Sequence, residues 1–462
     1  MKDLTLKNIE TAVSGRYHGP QALLEKTIDG ACLDSRLVQK DWLFFATKGE
    51  KTNGHNFLKQ IYEVGALCAI TERELTSEDL PEGMKIEDAA YIQVSDSFAA
   101  LRKLAAFYRS RLSVKVVGIT GSVGKTSTKE MIAAVLSAKY RVLKTEKNFN
   151  NAVGLPLTIL RLREEDEVAV LEMGISDFGE MAVLSSMARP DIGVITNIGQ
   201  CHLENLGTRD GIFRAKSEFF GYLTEGGRVV LNGGDDILSK VKDVHGREPV
   251  FFNDEKGSYA TDVEDLGFAG TRCLIHTKER TLHADIPVPG EHQVINACAA
   301  VAVAELLGLT TEQIESGIRG TQVIEGRGRV IKTDRYTLVD DCYNANPVSM
   351  KAGLKLLCRA SGRRVAVLGD MFELGTDEKQ LHRSVGEAMA DAEYRPDVLV
   401  CIGDLAANIY DGAGDKVEKY LFADKEAFLK EKDAILKEKD VILLKASHGM
   451  AFPTLVEKLS LE

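Results

Sequence analysis

Apolar residues along this chain follow two periods in alternation. From Val114 the run VKVVGIT is β-branched and apolar, as a buried strand requires. Glycines at 121 and 124 interrupt it, and a helical spacing then continues from Lys125 to about Tyr140. The alternation extends to both sides. Upstream, residues 1–112 predict a short helix after Thr5, strands at 42–46, 68–71 and in YIQVS, and helices over 55–64 and 96–112. On the last of these Phe98, Leu101, Leu104, Ala105, Tyr108 and Leu112 share one face. Downstream, strands at 141–145, 167–173, 191–198 and 228–232 alternate with helical stretches. Residues 249–289 read as shorter strands, open to antiparallel pairing, and 290–308 as a helix. From 326 the pattern resumes, with strands ending at Asp341, Asp370, Asp404 and Ser447 and a charged helix at 424–439. The fold class is therefore α/β in three domains. A small α/β domain spans 1–112, a central parallel-sheet domain 113–325, and a Rossmann-like domain 326–462.

Composition narrows the function. The 462 residues are 44% hydrophobic and 27% charged, an ordinary globular balance. A net charge of −11 argues against a general nucleic-acid or anionic-membrane binder, so a polyanionic ligand must meet a local basic site. The eight cysteines contain no C-x-x-C pair and fit reduced thiols of a cytoplasmic protein. The start, MKDLTLKNIE, lacks the apolar core of a signal peptide. The longest apolar run, Ala297 to Leu309, is too short to span a bilayer and contains Glu305, so no integral membrane contact is expected.

Strand, glycine loop and helix in that order suit a phosphate cradle formed by Thr120, Gly121, Ser122, Val123, Gly124, Lys125, Thr126 and Ser127. The glycines let backbone N–H groups approach an anionic oxygen, the helix N-terminus and Lys125 add positive charge, and the Thr126 hydroxyl can ligate Mg²⁺. The spacing departs from the usual pattern, whose first glycine would fall at Ile119, so a plain glycine-rich turn is the competing reading. Ligands of open parallel sheets collect at the carboxyl ends of strands. Those ends carry Asn148–Asn151, Glu172, Asn197 with His202, and Asn232 with Asp235 and Asp236. Glu172 reads as a Mg²⁺ ligand, a helix N-cap or a surface carboxylate, and His202 suits a metal, a phosphate or a surface hydrogen bond. Lys216 reads as a solvated helix lysine. Asn296, polar within an apolar helix, needs a partner, either backbone or an adenine edge. Arg327 either folds over phosphates or anchors a linker, and Asp341 and Asn344 end a strand facing whatever lies between the last two domains.

TGSVGKTSTKEM, KNFNNAVGLPLT, LEMG, the AKSE helix before LNGGDD, GEHQVINACAA, DDCYNANPVSM, LGDMFELG and LKASHGM together resemble the Mur ligases of peptidoglycan synthesis. Within that family, YNANP and LGDMFELG are nearest to the type that adds D-alanyl-D-alanine. The stretch DSRLVQKDWLFFATKGEKTNGH is similar to the family's uridine-nucleotide domain, so the resemblance spans nearly the whole chain. Two departures are TNGH at 52–55 in place of Asp-Gly-His, and His448 in place of an arginine after KxS. The resemblance implies that Lys216 is carbamylated by CO₂ and that Thr126, Glu172, His202 and Lys216 serve Mg²⁺. It also implies that Asn296, Arg327 and Asp341 hold adenine, phosphate and ribose of ATP. Asn150, Asn151 and Ser35 then hold the uridine-linked substrate, and Asn344 counts among the expected substrate residues.

The implied reaction is ATP-dependent ligation of D-alanyl-D-alanine to UDP-N-acetylmuramoyl-tripeptide through an acyl phosphate, by a cytoplasmic monomer whose three domains close over the intermediate. Lys125, Lys216, His202 and Glu172 are the expected catalytic residues. Three other readings fit parts of the pattern: a sister Mur ligase, a folate polyglutamate synthetase, or a nucleotide switch that signals without catalysis.

Overall fold

The structure is a computed structural model that describes residues 1–49 and 52–461. Glu50 and Lys51, inside the N-terminal stretch that carries part of the resemblance, lie outside the described residues. The chain forms two compact units, one of residues 1–120, 140–194 and 216–229, the other of residues 121–139, 195–215 and 230–462.

In the first unit, β1 (Arg16–His18), β2 (Gly30–Cys32), β3 (Trp42–Phe45), β4 (Cys68–Thr71) and β5 (Tyr91–Gln93) form a sheet in the order β1-β5-β4-β3-β2. Only β1 pairs antiparallel, against β5. Phe44, Ala69 and Tyr91 pack on Leu58 and Ile61 of the helix Leu58–Val64. The strands predicted at 42–46 and 68–71 are present; β1 and β2 were not foreseen, because three residues are too few to display a period. Asp96 caps the helix Ser97–Ser110 by accepting from the Ala99 N–H, and Leu101, Leu104, Ala105 and Tyr108 are its buried stripe.

The same unit contains β6 (Lys115–Thr120), β7 (Val142–Lys144) and β8 (Val168–Glu172), with β8 parallel to both neighbours. With β9 (Ile192–Ile195), β10 (Arg228–Asn232) and β11 (Val250–Phe252) they make a six-stranded sheet ordered β11-β10-β9-β6-β8-β7. Val168 to Glu172 are all buried, which explains why the VAVL run at 168–171 is continuously apolar and not alternating.

In the second unit, β12 (Tyr259–Asp265), β13 (Thr271–His276) and β14 (Thr281–Ile286) form an antiparallel sheet, with β11 parallel to β10, so the stretch 249–289 contains both kinds of pairing. The helix Lys125–Leu136 packs against the helices His292–Leu306 and Thr311–Arg319. It stops four residues before the expected end, and the charged helix at the C-terminus stops at Ile435 because Leu436 turns extended. The last sheet joins β15 (Arg329–Lys332), β16 (Thr337–Asp340), β17 (Arg364–Gly369), β18 (Val398–Ile402), β19 (Glu418–Phe422) and β20 (Val441–Lys445) in the order β15-β16-β20-β17-β18-β19. Only β15 is antiparallel. Ala366, Leu368 and Leu443 pack on one face while Val365, Val367 and Leu444 pack on the other, as a doubly covered sheet requires. The strands end one or two residues before the aspartates and serine predicted to close them. Among the described residues no helix is long and apolar enough to cross a membrane.

Candidate functional site

Two glycines shape the phosphate loop. Gly121 has φ +148° and Gly124 φ +82°, both in the region that favours glycine. A Cβ on Gly121 would lie 1.9 Å from Thr196 Oγ1, so the close approach itself excludes a side chain. Gly124 heads the helix Lys125–Leu136 and supplies no capping side chain, which leaves the first turn suited to an external anion. Asn197 fixes the loop: its carbonyl accepts from the Ser122 N–H at 3.0 Å, and its Oδ1 from the Val123 N–H at 3.0 Å. Its Nδ2 and the Thr196 hydroxyl both donate to the Val123 carbonyl, at 2.9 and 2.6 Å. Ser122 Oγ accepts from the Gly199 N–H at 2.9 Å. Lys125 Nζ folds back to the Gly121 and Ser122 carbonyls, at 2.8 and 3.4 Å. Thr120 Oγ1, at the end of β6, is buried without a hydrogen-bond partner.

Of the other predicted residues of the second unit, Arg327 and Asn296 contact the helix that this loop opens, and the rest have partners elsewhere. Arg327 Nη2 donates to Thr126 Oγ1 at 2.9 Å, and the guanidinium carbon stands 4.0 Å from the Tyr343 ring centroid. Arg327 thus reaches the loop and does more than anchor a linker. Ser127 lines a cleft with Gln293, Thr321 and Arg327. Asn296 accepts from Thr128 Oγ1 and donates to Gln293 Oε1, both at 2.8 Å. Its partners are therefore side chains, and Gln293 was not foreseen. Asp341 lies one residue beyond β16 and accepts from Lys445 Nζ at 2.6 Å, a lysine whose side chain is 3% exposed. Lys445 also donates to the Asn344 carbonyl, so Asp341 and Asn344 meet through a residue absent from the expected set. His202 takes a left-handed conformation, φ +52°, and its Nδ1 lies 3.4 Å from Glu373 Oε2.

The first unit holds the remaining predicted residues. Glu172 is 2% exposed and accepts from Asn150 Nδ2 at 2.9 Å. Its backbone N–H donates to Thr145 Oγ1 at 3.0 Å. The N-cap alternative fails because the next helix begins only at Glu180. Asn151 Oδ1 accepts from the Val153 and Gly154 N–H groups and so heads the helix Gly154–Ile159. Lys216, near the end of the helix Arg209–Ser217, is 1% exposed, which overturns its reading as a solvated lysine. Ser35 is buried at the start of a short 3-10 turn capped by Asp34. His55 bridges Asn53 Oδ1 and the Glu72 N–H, and burial holds its pKa below the usual histidine value.

Thr196 and Asn197 are the contributors that sequence reasoning undervalued. Asn197 stood out only as a polar residue at a strand end, and nothing in Thr196 itself announces a contact made by folding.

Comparison with known proteins adds to this geometry. The model for the Mur ligase middle domain matches residues 119–304, that for the Mur ligase glutamate ligase domain 326–448, and that for the Mur ligase family catalytic domain 27–109. The chain is 37% identical to the UDP-N-acetylmuramoyl-tripeptide–D-alanyl-D-alanine ligase of Bacillus subtilis (strain 168), over 98% of each sequence. Among solved structures it is similar to MurF from Acinetobacter baumannii, with a TM-score of 0.88, 32% identity and 99% of both chains covered. It is also similar to the MurF ligase from Thermotoga maritima in complex with ADP, with a TM-score of 0.79, 30% identity, and 94% and 97% of the two chains covered.

Proposed function

The chain belongs to the Mur ligase family, and from that premise we propose that it ligates D-alanyl-D-alanine to UDP-N-acetylmuramoyl-tripeptide at the expense of ATP. The likeness to UDP-N-acetylmuramoyl-tripeptide–D-alanyl-D-alanine ligase over 98% of both sequences is the observation that carries this choice. A carboxylate oxygen of the tripeptide attacks the γ-phosphorus of ATP, the bond to the bridging oxygen breaks, and ADP leaves. The acceptor amine then attacks the acyl carbon, inorganic phosphate departs with that same oxygen, and the amine proton is released.

Two anions must meet in the first step. At an effective dielectric near 20, unit charges about 4 Å apart repel by roughly 4 kcal/mol. Lys125 and Arg327 offset that repulsion, while the Gly121–Gly124 loop and the helix N-terminus fix the phosphates by position and dipole. The loop fits a phosphate group by its geometry: a glycine where a Cβ would strike Thr196, and a helix start without a capping side chain. Asn296, Arg327 and Asp341 are assigned to adenine, phosphate and ribose, and Ser35, Asn150, Asn151 and Asn344 to the substrates.

Mg²⁺ is assigned residue by residue to Thr126, Glu172, His202 and a carbamylated Lys216. Among the described residues no three His, Cys, Asp or Glu side chains form a metal cage. Mg²⁺ asks for less, because one or two carboxylates, waters and substrate phosphates complete its shell. A hydroxyl, a buried carboxylate and a carbamate are hard oxygen donors of the right kind. When bound, the ion would neutralise phosphate charge.

The domain limits 1–112, 113–325 and 326–462 belong to the same proposal, and each family match falls inside one of them. So do action as a monomer and residence in the cytoplasm; the eight free thiols support the latter. The test is ADP release with UDP-N-acetylmuramoyl-tripeptides ending in lysine or diaminopimelate and a panel of acceptors. Release that depends on D-alanyl-D-alanine supports the reading. Release driven by a single amino acid, or indifferent to every acceptor, contradicts it.

A further inference from the structure

Tyr343 was no part of the expected site, yet it touches Arg327, an arginine that reaches the first turn of the phosphate-loop helix. The Arg327 guanidinium lies over its ring at 4.0 Å while donating to Thr126 Oγ1 at 2.9 Å. Backbone bonds lock the two residues into register. The Tyr343 N–H donates to the Gly326 carbonyl at 3.0 Å, and the Gly326 N–H donates to Asp340 Oδ2 at 3.0 Å. Gly326 holds φ +74°, and a Cβ there would sit 3.3 Å from Tyr343, so arginine and ring are brought together by the backbone and not by chance rotamers. Arg327 Nε is buried with no hydrogen-bond partner. The guanidinium is thus held by one hydrogen bond and one aromatic face.

From this arrangement we propose that Tyr343 is a positioning residue for ATP binding, acting through Arg327. The inference rests on the assignment of Arg327 to a phosphate group. A ring face attracts a guanidinium without prescribing a direction in the plane, unlike a carboxylate, which would fix and neutralise it. Stacking therefore keeps the full charge of Arg327 available and lets the fork slide from the Thr126 hydroxyl to a phosphate oxygen without leaving its support. That movement would also release a lone pair of Thr126, the oxygen assigned to Mg²⁺. Because Tyr343 opens the stretch YNANP, the same ring ties the phosphate side of the site to the segment that carries Asn344.

The experiment is a double-mutant cycle on the full chain, reading the Kd of a non-hydrolysable ATP analogue by calorimetry. Loss of a stacked cation at a partly desolvated site corresponds to about a 3- to 30-fold change in Kd. Tyr343→Leu shows a loss of that size, and Tyr343→Phe, which keeps the ring, stays close to wild type. In an Arg327→Ala background Tyr343→Leu adds nothing. Tyr343→Met carries the same test if the leucine variant fails to fold. Additive losses, or a phenylalanine variant as weak as leucine, overturn the positioning role alone. An unchanged Kd for Arg327→Ala overturns the phosphate assignment together with it.

Discussion

Lys216 is where local pattern and final environment differ most. The helix Arg209–Ser217 is amphipathic and charged, and by sequence its lysine belongs in water, yet the residue is 1% exposed. The carbamate is proposed for this buried side chain, and carbamates form only on the neutral amine, so the assignment is tested by substitution. Lys216→Ala is expected to lose nearly all acyl-phosphate formation, and acetate or propionate to restore part of it. Lys216→Arg is not rescued, because the guanidinium fills the space with the wrong charge. Full activity of Lys216→Ala without added acid would remove the assignment. Lys125 and the two loop glycines were legible because their chemistry is local. Thr196, Tyr343 and Lys445 were not, because each acquires its partner through contacts distant in sequence.

At the scale of elements, the phosphate loop depends on the helix it opens and on what that helix packs against. A Cβ on Gly317 would lie 2.4 Å from Val135 Cα and 3.0 Å from its carbonyl oxygen, so the helices Thr311–Arg319 and Lys125–Leu136 meet backbone to backbone. Gly317→Ala must push them apart at a cost of about 1–3 kcal/mol, against about 1 kcal/mol gained in helix propensity. A lower urea midpoint and weaker nucleotide binding are expected; an unchanged midpoint contradicts the close packing. A second element-scale constraint is His382. Its Nε2 accepts from the Met371 N–H at 2.8 Å and its Nδ1 faces the Glu378 carbonyl at 2.7 Å, an arrangement that only the neutral ring can make. Burial lowers the pKa of His382, and likewise of His55 and His292. The unfolded chain then binds more protons, so the stabilisation is present above the unfolded value near 6.5 and is lost as pH falls below it. Thermal unfolding between pH 7.5 and 5.5 should move to lower temperature, and His382→Gln should flatten that slope. An unaltered slope would show that His382 makes no such contribution. The alternation of strands and helices was readable throughout, but their ends were not. Helix ends depended on where the backbone turned, as at Leu436, and the short strands β1 and β2 exist only through pairing.

For the whole molecule, the sequence disclosed the chemistry better than the assembly. The stretches TGSVGKTSTKEM, YNANP and LGDMFELG point to ATP and to a D-alanyl-D-alanine acceptor through their resemblance to the Mur ligases. The division into two compact units, with the phosphate loop in one and Glu172 in the other, had no trace in composition or spacing. Such a division follows from packing between segments far apart in the chain. The central claim is that the tripeptide carboxylate is phosphorylated before it is joined to the acceptor. The direct measurement uses UDP-N-acetylmuramoyl-tripeptide labelled with ¹⁸O in its terminal carboxylate, with ATP, Mg²⁺ and D-alanyl-D-alanine, and mass analysis of the inorganic phosphate released. Transfer of a labelled oxygen to phosphate in each turnover is the expected result. Phosphate that carries no label while the ligated product accumulates would contradict the acyl-phosphate route.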